Sequence, residues 1–212
     1  VEEEGGSTSI SMDTFSRHLD LRHFPVFLDW WLLQKGCSGT EINEIQRLIE
    51  AQVGATYKGV VVDALRDRDR LVFRRPIPVQ SPFEIAFEEG DLSGHGVEFA
   101  GWAFSFSKVQ CPQAFNDKPE TETHWLDWDS LAFPVKLRRW KAGDRFNPFG
   151  MSGSRKISDI LIDQKRDQFS KADAWVLEDR LGIALLGGYR IAQRVAAVPG
   201  AACLRVCVSH SM

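Results

Sequence analysis

The stretch "GDRFNPFGMSGSRKISDILIDQK" at residues 143–165 packs three glycines, two phenylalanines and four cationic side chains around a loop that runs into a helix. "GMSGS" (150–154) is turn chemistry that can line up backbone N–H groups in a concavity. Ser154 is placed to cap the helix that follows, whose apolar positions are Ile157, Ile160 and Leu161. The pattern predicts a helix over 154–165. A helix N-terminus presents unpaired donors and the positive end of a dipole, so the same loop could be a cap, a cradle for an anion, or both.

Outward from this stretch the periodicity changes to two. "FEIAFEE", "GVEFAGWAFSFSKV", "THWLDWDSLAFPVKLRRW", "AWVLEDRLGIALLGGYRIA" and "ACLRVCVS" read as short strands separated by turn residues. The second part of the chain is therefore expected to be mostly β, of sandwich or barrel type, with one main helix. Three prolines in "RRPIPVQSP" (74–82) mark its boundary, giving a domain over 76–212.

Before that boundary the pattern is helical and then alternating. "FPVFLDWWLLQKG" (24–36) has Pro25 in a first turn and Gly36 as a stop, and "SGTEINEIQRLIEAQ" (38–52) opens with Ser38 and Glu41 spaced as a capping box. "TYKGVVVDALRDRDRLVFRRP" then predicts a β-hairpin turning near "RDRDR", so that 15–75 forms a helix-hairpin plus β-hairpin unit. Residues 1–14, rich in Gly, Ser and Glu, are expected to be a disordered linker. The whole is α+β.

Composition narrows the function. The 212 residues are 43% hydrophobic and 26% charged, and apolar runs such as "WWLL" and "GIALLGG" are far shorter than the ~18 to 20 residues of a membrane span. "VEEEGGSTS" is unlike a secretory signal, so a cytoplasmic location is expected, and a start at Val1 suggests a piece of a longer protein. Cys37, Cys111, Cys203 and Cys207 fit neither a redox pair nor a zinc knuckle and read as free thiols. His18, His23, His95, His124 and His210 lack metal-ligand spacing, so no metal is expected. "GMSGS" misses the G-x-S-x-G elbow, and Arg155 stands where a Walker loop needs its second glycine. Asp159 and Asp163, four apart, read as ion-pair partners of Lys156 and Arg166 rather than as catalytic acids. No catalytic residue is assigned.

The net charge of −3 conceals a division. Residues 1–134 carry 12 Lys/Arg against 22 Asp/Glu, residues 135–175 carry 10 against 5, and residues 176–212 carry 4 against 2. A single basic segment in an acidic chain points to a localised anionic partner, an internally neutralised surface being the alternative. Within it Arg155 and Lys156 fall in the first turn of the expected helix, where cations oppose the dipole by about 0.3 to 1 kcal/mol and a bound phosphate would relieve them. Lys165 and Arg166 suit the helix's negative end. Trp140, Phe146 and Phe149 could stack on bases, although core packing is the favoured reading. "RDRDR" with Arg74 and Arg75 is a second basic patch, largely neutralised by Asp67 and Asp69.

"LRRWKAGDRFNPFGMSGSRKISDILIDQK" (137–165) followed by "GYRIAQR" (188–194) resembles the C-terminal signature of the bacterial tRNA(Ile)-lysidine synthetases, and 15–75 is similar to that family's substrate-recognition domain. The resemblance implies a β-rich fold shared with a phenylalanyl-tRNA synthetase subunit. It also implies an enzyme that uses ATP and magnesium to activate the wobble cytidine of an isoleucine tRNA for attack by lysine. The family's adenylating S-G-G-x-D-S loop belongs to an N-terminal catalytic domain and does not occur in these residues. What is implied here is the tRNA-gripping portion, inactive alone, free of cofactors and directed at the acceptor stem, with a homodimer possible. Arg138, Arg139, Lys141, Arg145, Ser154, Arg155, Lys156, Ser158, Lys165 and Arg190 are the implied tRNA contacts, and Asp144, Gly150, Met151, Gly153 and Asp159 the implied structural positions. Arg155 stands where the family often has Lys, and the proline expected soon after Lys165 is replaced by "RDQFSK". A freestanding nucleic-acid-binding module and a structural dimerisation domain are the alternatives, the first separable by whether an S-G-G-x-D-S loop lies upstream.

Overall fold

The computed structural model describes residues 1–4, 7–76, 84–92, 94, 96–99, 101–113 and 122–210, and its chain divides into two compact units, 1–78 and 79–212. His95 and most of the proline-rich boundary stretch lie outside the described residues. Among those described, no helix is long and apolar enough to cross a membrane.

The first unit is a five-stranded antiparallel sheet with helices. Strands β1 (Glu2–Glu4) and β2 (Ser7–Ser11) precede helices α1 (Met12–His18), α2 (Phe24–Gln34) and α3 (Gly39–Gln46). Strands β3 (Thr56–Lys58), β4 (Asp63–Asp67) and β5 (Arg70–Arg74) complete it, in the order β1-β2-β5-β4-β3. Phe24, Leu28 and Leu32, four apart on α2, are fully buried with Ile45 of α3 and with Leu71 and Phe73 of β5. The Trp31 ring lies 4.8 Å from that of Phe73. The opposite face of α2 leaves Val26, Trp30 and Leu33 exposed.

Ser38 caps α3 as its spacing predicts. Its Oγ accepts from the Glu41 amide at 3.3 Å, and the Glu41 carboxylate accepts from the Ser38 amide at 2.9 Å. That carboxylate also accepts from the amides of Val60 and Val61, tying the helix start to the loop before β4. The helix is shorter than the 38–52 expectation because its last turn tightens to a 3₁₀ turn at Arg47–Ile49.

The described residues of 1–14 form strands and the start of a helix, where a disordered linker was expected. Ser7–Ser11 pair along Arg70–Arg74 with Ile10 buried, and Ser11 caps α1 by accepting from the Thr14 amide. The edge of the β4–β5 hairpin offers unpaired backbone donors and acceptors, and a polar strand satisfies them as well as an apolar one. Composition alone does not register that gain.

The second unit contains β6 (Glu84–Phe87), α4 (Glu89–Leu92), β7 (Gly96–Phe99), β8 (Trp102–Gln110), β9 (Glu122–Asp127) and β10 (Val135–Arg139). There follow β11 (Arg145–Phe146), β12 (Arg155–Lys156), α5 (Ile157–Asp163), α6 (Gln168–Ala172), β13 (Trp175–Asp179), β14 (Gly182–Leu186), β15 (Arg190–Ile191) and β16 (Ala202–His210). Two antiparallel sheets, β15-β14-β13-β10-β6 and β7-β8-β16-β9, share one apolar core. Phe104 of β8 meets Trp175 of β13 edge to face with ring centroids 4.8 Å apart. Cys111 and Cys203 are buried and Cys207 half-buried, all as free thiols, as is Cys37 in the first unit.

The architecture positions the basic segment. Strands β10 and β13 are antiparallel neighbours, and everything from Trp140 to Ala174 is the excursion between them. The helix in it starts later than predicted: Arg155 and Lys156 are strand, paired with Phe146 and Arg145 respectively, and the helix begins at Ile157. Two-residue strands are too short to show an alternation.

A measurement on the first unit follows from its cap. Ser38→Ala should lower stability by about 1 kcal/mol, read from the urea midpoint, because it leaves the Glu41 amide without its acceptor.

Candidate nucleic-acid interface

Arg138 organises the excursion. It is only 4% exposed, and each of its five N–H groups has an acceptor. Nε and Nη2 donate to the Glu178 carboxylate at 2.7 and 3.1 Å, Nη1 and Nη2 to Asp144 at 2.8 and 3.1 Å, and Nη1 also to the Arg139 carbonyl at 3.0 Å. Burial by itself would make this cation easier to deprotonate, but the bonds to Glu178 and Asp144 more than offset it and hold its pKa above the ordinary value. No donor remains for a phosphate. Arg138 therefore leaves the set of expected RNA contacts and becomes a structural residue.

Asp144 passes the constraint on. Its carboxylate accepts from the Lys141 amide at 2.7 Å, and its carbonyl accepts from the Ile157 amide at 2.9 Å. One residue thus closes the turn after β10 and fixes where α5 starts. The first amide of α5 is thus engaged within the fold and is not open to an anion. Ser154 is not the cap either: Lys156 holds that position with no side-chain cap bond, while Arg145 Nη2 donates to the Ser154 carbonyl at 3.1 Å.

Arg155 has a compensating partner that spacing did not show. Its guanidinium donates to Asp163 at 2.6 Å, reaching along the helix from outside it, so Arg155 is not an unrelieved first-turn cation. Asp163 therefore serves Arg155 rather than an intrahelical pair. Asp159, in the first turn, accepts from Ser158 Oγ at 3.1 Å and complements the dipole.

The loop joining β11 to β12, residues 147–154, is pinned from below by the segment after β14. Phe149 donates its amide to the Ile191 carbonyl at 2.9 Å, and Gln193 donates its own to the Asn147 carbonyl at 2.8 Å. The Gly150 amide donates to Gln193 Oε1 at 3.0 Å, and Arg190 Nη1 to the Phe149 carbonyl at 3.1 Å. With its amide nitrogen turned inward, Asn147 donates to the carbonyls of Met151 at 3.2 Å and Gly153 at 2.8 Å. Gly150 and Gly153 take φ of +74° and +77°, which other residues rarely adopt. Met151 receives the Tyr189 hydroxyl at 3.4 Å. The pinning segment is itself anchored, since Arg194 forms a two-pronged bond at 2.8 and 2.6 Å to Asp179, whose carboxylate is fully buried.

Four of the expected cations are exposed around this loop. Arg145 and Lys156 lie directly opposite each other on β11 and β12, a like-charge pair that a sheet disfavours. Arg190 is exposed beside the loop, and Lys141 is exposed at the turn that leads into it. Lys141, Lys156 and Lys165 have no acceptor for their ammonium groups among the described residues. Lys165 sits apart at the far end of α5, and Arg139 faces Asp173 at 3.8 Å. Of the aromatics, Phe146 is buried and Trp140 donates to the Lys171 carbonyl, but Phe149 is 46% exposed, against the expectation of core packing. Gln193 and Arg194, the anchors of the loop, were visible only as the tail of "GYRIAQR".

No family model matches the chain. The tRNA(Ile)-lysidine synthase of Parabacteroides distasonis is 38% identical to it over 82 residues, which is 39% of this chain and 19% of the relative. That of Bacteroides thetaiotaomicron is 29% identical over 162 residues, 75% of this chain and 34% of the relative. The crystal structure of the TILS C-terminal domain matches in fold with a TM-score of 0.50 and 20% identity, over 61% of this chain and 98% of that domain. The chain is a homologue of the tRNA(Ile)-lysidine synthases. It spans between about a fifth and a third of the length of these tRNA(Ile)-lysidine synthase relatives. A fragment of the phenylalanyl-tRNA synthetase β-subunit from Pyrococcus horikoshii overlaps at a TM-score of 0.41, too remote to carry weight.

The division between scaffold and surface can be tested by stability. Arg138→Ala should cost about 3 kcal/mol in urea denaturation, because it strands two partly buried carboxylates. Arg155→Ala, at an exposed ion pair, should leave the midpoint nearly unchanged.

Proposed function

We propose that this chain is the tRNA-gripping portion of a tRNA(Ile)-lysidine synthase and that the surface around residues 145–156 holds the acceptor stem. The observation that carries this reading is the exposed Arg145/Lys156 pair. Two like charges fixed opposite each other on a two-residue ladder are unfavourable alone and favourable against a phosphate. Lys141 and Arg190 extend the same surface, with Lys165 and Arg139 as outlying contacts.

The chemistry suits an A-form stem. Its deep groove is closed to side chains, so a protein holds it through phosphates, 2′-hydroxyls and the unstacked end. Homology to synthases of this name supports isoleucine tRNA as the RNA, with ATP-dependent joining of lysine to the wobble cytidine carried out by other parts of the longer protein. A grip of modest strength on the stem is sufficient there, because contacts elsewhere on the same tRNA raise the effective concentration.

Binding of isoleucine tRNA to the 212-residue chain, measured at several salt concentrations, tests the reading. Affinity should fall steeply with salt, and Arg145→Ala with Lys156→Ala should reduce the slope of log K against log salt by about 1 to 2. Binding that is insensitive to salt, or unchanged by the double substitution, would contradict it.

A further inference from the structure

We propose that Phe149 is a stacking platform for an unpaired nucleobase at the end of the duplex held by the neighbouring cations. This rests on the tRNA reading above and adds a ligand for a side chain that electrostatics leaves unused. A single exposed apolar residue normally needs no explanation. Phe149 differs in how it is held.

Its own amide bonds to Ile191, its carbonyl accepts from Arg190, and the next amide bonds to Gln193, so the backbone on both sides of the ring is locked. Pro148, just before it, is buried and bridges to Ala192. The neighbouring aromatics of the excursion, Trp140 and Phe146, are tucked against the core. The fold therefore fixes a loop at six or more points and turns its one large ring outward, 46% exposed.

The surroundings select the partner. Arg190 donates to the carbonyl of Phe149 itself, and Arg145 and Lys156 stand at the base of the loop. An apolar protein segment would gain nothing from three exposed cations. A nucleotide offers both a π-face for the ring and a phosphate for the cations, and stacking of this kind is tolerant of base identity. A fully paired stem has no free face to offer, so the platform is matched to a base at an unpaired terminus. Because the backbone beneath the ring is already ordered, binding has only the ring's own rotamer freedom left to restrict.

Two RNAs separate this from the reading it rests on: an acceptor-stem hairpin ending in unpaired 3′ nucleotides with 2-aminopurine among them, and the same hairpin made blunt. The wild-type chain should bind both, prefer the overhang, and quench 2-aminopurine on binding. Phe149→Ala should weaken overhang binding about 5- to 150-fold, the range of one stacked base, leave the blunt hairpin unaffected, and abolish the quench. Phe149→Trp should restore it. Equal loss on both hairpins, no loss on either, or no quench with wild type would overturn the platform while leaving the tRNA reading standing. Failure of the wild-type chain to bind either hairpin at any salt concentration would overturn both.

Discussion

The second unit depends on one buried cation. Arg138 lies on an interior strand, and its five donors are divided among Glu178 on the neighbouring strand, Asp144 in the turn that leaves the sheet, and the Arg139 carbonyl. A guanidinium so placed is tolerable only if every N–H is met, and meeting them fixes the turn relative to the sheet. Asp144 then sets the register of the β11–β12 hairpin through the Ile157 amide. A side chain of the basic segment, of the type expected to hold RNA, instead holds the surface in place.

A second anchored pair completes the arrangement. Asp179 is met by Arg194 and by the amides of Ala132 and Leu181, which fixes the segment carrying Gln193. Gln193 and Arg190 in turn hold the 147–154 loop. Two arginine–carboxylate clusters, one built on Glu178 and one on Asp179, thus support a loop that turns Phe149 outward. The division of labour is between cations committed to carboxylates, Arg138 and Arg194, and exposed ones, Arg145, Lys156 and Arg190.

Much of this was legible in the sequence where a local rule was strong. The Ser38/Glu41 capping box, the helix opening at Pro25, the hairpin at "RDRDR" and the alternating strands of the second unit follow from spacing and turn chemistry. Residues 7–11 did not, because their strand is specified by a partner's open edge and not by their own apolarity. Arg138 and Arg145 were equivalent as letters. Only the sheet register, which turns Arg138 toward Glu178 and leaves Arg145 facing Lys156, separates scaffold from surface. The exposure of Phe149 was hidden for the same reason: it depends on Ile191, Gln193 and Arg190, some 40 positions later in the chain.

On the reading proposed above, the 147–154 loop is ordered before it meets RNA and is then the surface that RNA covers. Amide hydrogen exchange on the 212-residue chain, with and without isoleucine tRNA, tests both halves. Exchange should be slow at Phe149 and Gly150 in the free protein, with tRNA-induced protection centred on 145–156 and 188–193. Exchange at the rate of an unstructured peptide in the free loop, or protection confined to residues 1–78, would contradict it.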